Sequence, residues 1–216
     1  GSEFTLNTGQ VIKNRLFKSA MSEQLGTRNH NPTKGLATLY GRWAEGGIGL
    51  AVTGNIMIDR TALGEPKNVV LDEESDLEPF KRWATAGKKN NSQIWTQLNH
   101  PGKQVPNFIC DEPVSPSAIG LSGGLEKGFN KPRALSEPEI TEIISKFALS
   151  AKLAKQAGFS GVQIHGAHGY LVSQFLSPRH NQRTDQWGGS LENRMRFVLA
   201  IYQAIRDEVG KDFPIG

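Results

Sequence analysis

Cysteine is almost missing from this chain: Cys110 is the only one in 216 residues. No intrachain disulfide can form, and the composition reads as that of a protein kept in a reducing compartment, the cytosol. No apolar run is long enough to span a bilayer, and no secretory leader is expected. Lysine and arginine outnumber aspartate and glutamate by only 25 to 21, scattered rather than clustered among aromatics. That distribution argues against a nucleic-acid partner. Carboxylates are also missing locally, with no Asp or Glu between Glu142 and Asp185. What remains is an ordinary globular composition, 37% hydrophobic and sufficient for one domain with a core. The opening Gly1-Ser2-Glu3-Phe4 reads as a cloning scar, leaving residues 5–216 as the domain.

Strand-like and helix-like segments alternate. Leu16–Ala20 is a short strand, followed by a helix over Thr33–Glu45. Ile48–Thr53 is a second strand, followed by a helix over Ser75–Asn90 with Pro79 near its first turn. Ser92–Asn99 is a third strand. Ser136-Glu137-Pro138-Glu139 is a capping box, and Gly158 stops the helix it opens. Gly161–His165 is a fourth strand, and Ser190 caps a helix running to about Val209, with Gly210 as its stop. Phe213–Gly216 reads as the start of a fifth strand. There is no internal repeat beyond this alternation.

Regular βα alternation implies parallel strands with right-handed crossovers. In the third strand Gln93, Trp95, Gln97 and Asn99 share one face, and Ile94, Thr96 and Leu98 the other. In the fourth, Gln163 and His165 oppose Val162 and Ile164. One polar and one apolar face suit a barrel better than an open sheet covered on both sides. The expectation is an α/β protein of the (β/α)8 TIM-barrel type, represented by about four βα units plus the start of strand five. The Pro- and Gly-rich segment 101–135 is too long for a plain connection and falls on the catalytic face. It is either a lid or substrate loop or a disordered insertion.

The chemistry concentrates where the fourth strand ends. His165 closes it, His168 follows three residues on, and Tyr170 two after that. Neutral imidazoles and a phenol can hold a carbonyl oxygen and deliver a proton without a metal. Zinc is the competing reading for His-x-x-His. It fails for want of further ligands, because the neighbouring stretch has no carboxylate and Cys110 lies far along the chain.

Val162–Tyr170, Ser177-Pro178-Arg179, Trp187–Arg194, Ile94–Gly102 and Asn14–Ser22 together resemble the old yellow enzyme family of FMN-dependent ene-reductases. The resemblance implies FMN as cofactor and NADH or NADPH as reductant. It implies that His165 and His168 hydrogen-bond the carbonyl or nitro oxygen of a conjugated substrate, with His165 also near the flavin. In that family reduced flavin passes hydride to the β-carbon, and the resemblance implies that Tyr170 protonates the α-carbon. Gln97 matches the family's flavin-binding glutamine. Ser19, Ala20, Met21 and Ser22 match the turn along the flavin, Ser22 standing where relatives carry the Thr or Cys that bonds flavin O4. Gly54 matches a position kept small for the flavin. For Met21 and Trp95, ordinary core packing is the preferred reading. Ser177–Arg179 and Arg183–Arg194 read as architecture, and His30 as a residue bordering substrate at the catalytic mouth.

The resemblance covers the first half of the family barrel, without the strands that would supply the phosphate site. Two functions are therefore expected: the N-terminal part of an FMN-dependent NAD(P)H:acceptor oxidoreductase acting on small enone-type substrates, or a catalytically silent half-barrel. In either case open edges imply that the chain alone self-associates.

Overall fold

The computed structural model describes all residues, Gly1–Gly216. Its strands are β1 (Phe4–Thr5), β2 (Val11–Ile12), β3 (Phe17–Lys18), β4 (Leu50–Met57), β5 (Val69–Val70), β6 (Gln93–Asn99), β7 (Val114–Ser115), β8 (Arg133–Ala134) and β9 (Gly161–Ile164). Its helices are α1 (Lys34–Glu45), α2 (Leu77–Gly87), α3 (Glu137–Gln156), α4 (Leu171–Leu176) and α5 (Leu191–Val209).

The helix ends follow from local chemistry. Glu139 accepts from the Ser136 backbone N–H at 2.8 Å, forming the capping box of α3, and Gly158 leaves the helix at φ +91°. Ser190 Oγ accepts from Asn193 N–H at the start of α5, and Gly210 follows its end at φ +78°. The second helix is shorter than expected at both ends. Asp76 caps it, its side chain accepting from Glu78 N–H at 3.0 Å, while the Ser75 hydroxyl donates to the Val70 carbonyl. Asn90 and Asn91 sit at φ +52° and +55°, which no α-helix accommodates.

Strands β3, β4, β6 and β9 form one parallel sheet in that order, and β5 pairs with the end of β4. Ile215 bridges Val162 in parallel, with Ile164 N–H donating to Gly216 O at 2.8 Å, so the fifth strand begins beside β9. This is the first part of a (β/α)8 barrel. The outer sheet face packs on the helices through one buried cluster that includes Tyr40, Phe80, Trp83, Ile94, Leu98, Phe147, Phe197 and Ile201. On the inner side, Leu50, Val52 and Trp95 near the strand starts pack with Ile12 of β2 into a small apolar plug. The β1–β2 hairpin contributes Ile12 to this plug and is held there by Gln10, bonded to both Trp95 Nε1 and Ser160 O. Phe4 is part of that hairpin, paired with Ile12.

β4 continues past Thr53, with a register shift between Val52 and Asn55 that places Gly54 inside the strand rather than beyond it. A Cβ on Gly54 would lie 2.5 Å from Met21 O and 2.6 Å from Glu23 Oε2. The glycine therefore makes room for the chain's own 21–23 turn. That turn is tied down by Lys18, whose ammonium reaches Glu23 at 3.3 Å and Tyr40 OH at 3.0 Å, while Gly54 N–H donates to the same phenol.

Segment 101–135 is folded. β7 and β8 pair in parallel, and Lys103 Nζ, on a buried side chain, donates to Ile119 O at 2.6 Å. Arg183 donates to the carbonyls of Pro116 and Leu135. The Arg183–Asp185 pair and the loop around Trp187 are thus the architecture expected of them. No helix is long and apolar enough to cross a membrane.

Candidate active site

Parallel strands bring the ends of β3, β4, β6 and β9 to one side, where a cavity of about 160 Å³ is lined by Ala20, Met21, Ser22, Asn55, Glu65, Gln97, His165, His168 and Tyr170. His165 follows β9, its backbone N–H still bonded to Leu98 O in the sheet, and its side chain is buried. Nδ1 accepts from Ala167 N–H at 3.2 Å, which leaves the ring proton on Nε2 as a donor. Burial, with the neighbouring His168 adding to it, lowers the His165 pKa to about 4. The ring is therefore neutral near pH 7, and its Nε2–H can donate to a substrate oxygen without the ring first losing charge.

His168 sits at φ +58° and Gly169 at φ +73°. Two successive left-handed residues reverse the chain within one turn, so that three rings from a six-residue segment meet. For a histidine this conformation costs about 1–2 kcal/mol, a strain held by the surrounding turn. Ring centroids are 5.2 Å apart for His165 and His168, 4.9 Å for His165 and Tyr170, and 6.4 Å for His168 and Tyr170, all edge-to-face. Tyr170 caps α4, and Gln174 N–H donates to its carbonyl at 2.8 Å. Burial raises the phenol pKa, and the Glu65 charge raises it further, so the proton stays on the oxygen.

Gln97 is buried on the inner face of β6, its Nε2 donating to Gln163 Oε1 at 2.8 Å. Ser22 Oγ donates to Glu65, so its hydroxyl proton is already engaged. Met21 is 59% exposed, which overturns its reading as core, whereas Trp95 is buried in the inner plug as expected. Ser19 is exposed and, like Gly54, does not line the cavity. His30 is also absent from the lining; its Nδ1 lies 3.2 Å from Asn68 O in a structural contact.

Two lining residues escaped the sequence reading. Asn55 follows the Gly54 irregularity in β4, and extending that strand by four residues would have found it. Its Oδ1 is buried without a hydrogen-bond partner. Glu65 lies in the connection after β4 and carries no sequence signal of its own.

Comparison with known proteins decides the family. The profile of the NADH:flavin oxidoreductase / NADH oxidase family matches residues 4–216. The chain belongs to that family. A relative, the NADH-dependent flavin oxidoreductase iliE of Hypocrea jecorina (strain QM6a), is 38% identical over 229 residues, covering 98% of this chain and 57% of that protein. The old yellow enzyme homologue from Zymomonas mobilis superposes with a TM-score of 0.89 at 29% identity, over 98% of this chain and 61% of that one. Morphinone reductase in complex with tetrahydroNAD gives 0.90 at 29% identity, over 100% and 62%. The chain thus spans roughly three-fifths of each of these three proteins.

Proposed function

We propose that the protein carrying this chain is an FMN-dependent NAD(P)H:acceptor oxidoreductase that reduces the C=C bond of α,β-unsaturated carbonyl or nitro compounds. The observation that carries this reading is the convergence of His165, His168 and Tyr170 in one cavity with Gln97. FMN supplies the hydride when bound. The lining fits such a group. The unpartnered Asn55 Oδ1 and the carbonyl oxygen of Gln97 are acceptors for a ring N–H, and Ala20, Met21 and Ser22 line the same cavity.

His165 Nε2–H and His168 hold the substrate oxygen. As negative charge grows on that oxygen, their hydrogen bonds strengthen, so they favour the transition state over the bound substrate. Tyr170 then delivers its proton to the α-carbon. The environment that raises the phenol pKa keeps this proton available. In the complete enzyme, Tyr170→Phe is expected to slow the half-reaction with enones by about 100-fold or more, leaving reduction by the nicotinamide within a few-fold. Stopped-flow measurement of the two half-reactions checks this. Equal losses in both would remove Tyr170 from the proton step.

The silent half-barrel remains as a second reading for the chain on its own, favoured by the exposure of Leu16, Phe17 and Met21 beside the outermost strand. Expressed alone, the 216-residue chain is expected to self-associate and to retain little FMN. Light scattering after size exclusion, with an absorbance scan near 450 nm, reads both. A yellow, stoichiometrically loaded monomer would reject this reading.

A further inference from the structure

Glu65 is the one formally charged side chain among the cavity residues, and no Lys or Arg lines the space with it. Its carboxylate makes no ion pair. It is held instead by neutral donors, Ser22 Oγ, Gln24 Nε2 at 2.8 Å and Asn68 Nδ2 at 3.3 Å. The backbone under it is also fixed, because Asn68 Oδ1 accepts from the N–H groups of Gly64 and Glu65 at 3.0 and 2.8 Å. Gln24 adopts φ +52° within the same cluster. These contacts leave the negative charge in place while restricting the position of the carboxylate. Three polar side chains hold this anion beside the two histidines and the tyrosine.

We propose that Glu65 is a charge filter at the mouth of this site, favouring neutral or cationic substrates over substrates that carry a carboxylate. The inference rests on the proposed function for the reaction and adds the class of substrate. The physics is repulsion between like charges in a partly desolvated space, where a fixed anion discriminates far more than it would in bulk water. The His165 imidazole cannot offset it, because it is uncharged near pH 7 and its remaining donor serves the reacting oxygen. A purely structural Glu65, present only to hold the 64–68 turn, would leave substrate charge without effect.

The test uses the complete flavoprotein and two substrates of nearly equal shape, trans-cinnamaldehyde bearing a para-carboxamide or a para-carboxylate. Wild type is expected to prefer the carboxamide in kcat/KM, and Glu65→Gln to narrow that ratio by roughly tenfold. Glu65→Asp, which keeps the charge, should hold the ratio within about twofold of wild type. Added salt should narrow the wild-type ratio and leave the Gln variant unmoved. An unchanged ratio in Glu65→Gln overturns the proposal. If that variant does not fold, a wild-type ratio insensitive to salt overturns it instead. Titration calorimetry with 4-hydroxybenzamide and 4-hydroxybenzoate reads the same filter without turnover. Failure to reduce the neutral aldehyde therefore counts against the proposed reaction, while the binding ratio still decides the role of Glu65.

Discussion

His165→Ala and His168→Ala, each in the complete enzyme, are expected to remove about 2–4 kcal/mol of transition-state stabilisation, a fall in kcat/KM for enones of roughly 30- to 1000-fold. The expectation follows from the site. His165 is buried and neutral, and the Ala167 N–H on Nδ1 leaves Nε2–H as its donor. His168 is held in a left-handed conformation that brings its ring to 5.2 Å from the first. Truncating either ring removes a donor to the developing oxyanion and admits water in its place. Binding of phenol-type ligands should weaken in parallel, since their oxygen uses the same donors. Steady-state kinetics and ligand titration on both variants check this. Enone turnover within threefold of wild type in both would exclude the pair as the oxygen-holding group.

The other large effect is expected in the core. Trp83 on α2 is 1% exposed, with its ring edge-to-face against Tyr40 at 5.3 Å and Phe159 at 5.7 Å. It joins the first helices to the segment that leads into β9. Trp83→Ala should cost about 3–5 kcal/mol, the loss of transfer energy plus the cavity left in a packed interior. The indole N–H is buried without a partner, so Trp83→Phe sacrifices no hydrogen bond and should cost distinctly less. Denaturant unfolding of the complete protein measures both. A cost below about 1 kcal/mol for the alanine variant would mean that the surrounding rings collapse into the space.

Particular residues show how far the sequence could be read. The caps of α3 and α5 were legible because Ser136, Glu139, Gly158, Ser190 and Gly210 act on neighbours a few positions away. The alternation in β6 was legible because its two faces meet different surroundings. The cluster of His165, His168 and Tyr170 was legible because all three lie in one short turn. By contrast β1, β2, β5, β7 and β8 are two-residue strands, too short to leave a local period. Met21 was assigned to the core on its hydrophobicity, yet the outermost strand leaves it open. Gly54 packs against Met21 and Glu23, a relation that spans about thirty residues and leaves no local pattern.

The sequence by itself determined the alternation of the main strands with their helices, the caps of α3 and α5 and the reactive turn after β9, because propensity, capping and hydrogen bonding act over a few residues. Only the tertiary structure decided what stands opposite that turn. Asn55 reaches the cavity through an irregularity set by pairing between β4 and β6, and Glu65 through contacts with Ser22, Gln24 and Asn68. The tautomer of His165 likewise depends on the folded turn, and its neutrality depends on burial, neither of which exists in an extended chain. The reactive groups were written locally, and their charge environment was assembled from four strand ends that approach one another only in the barrel.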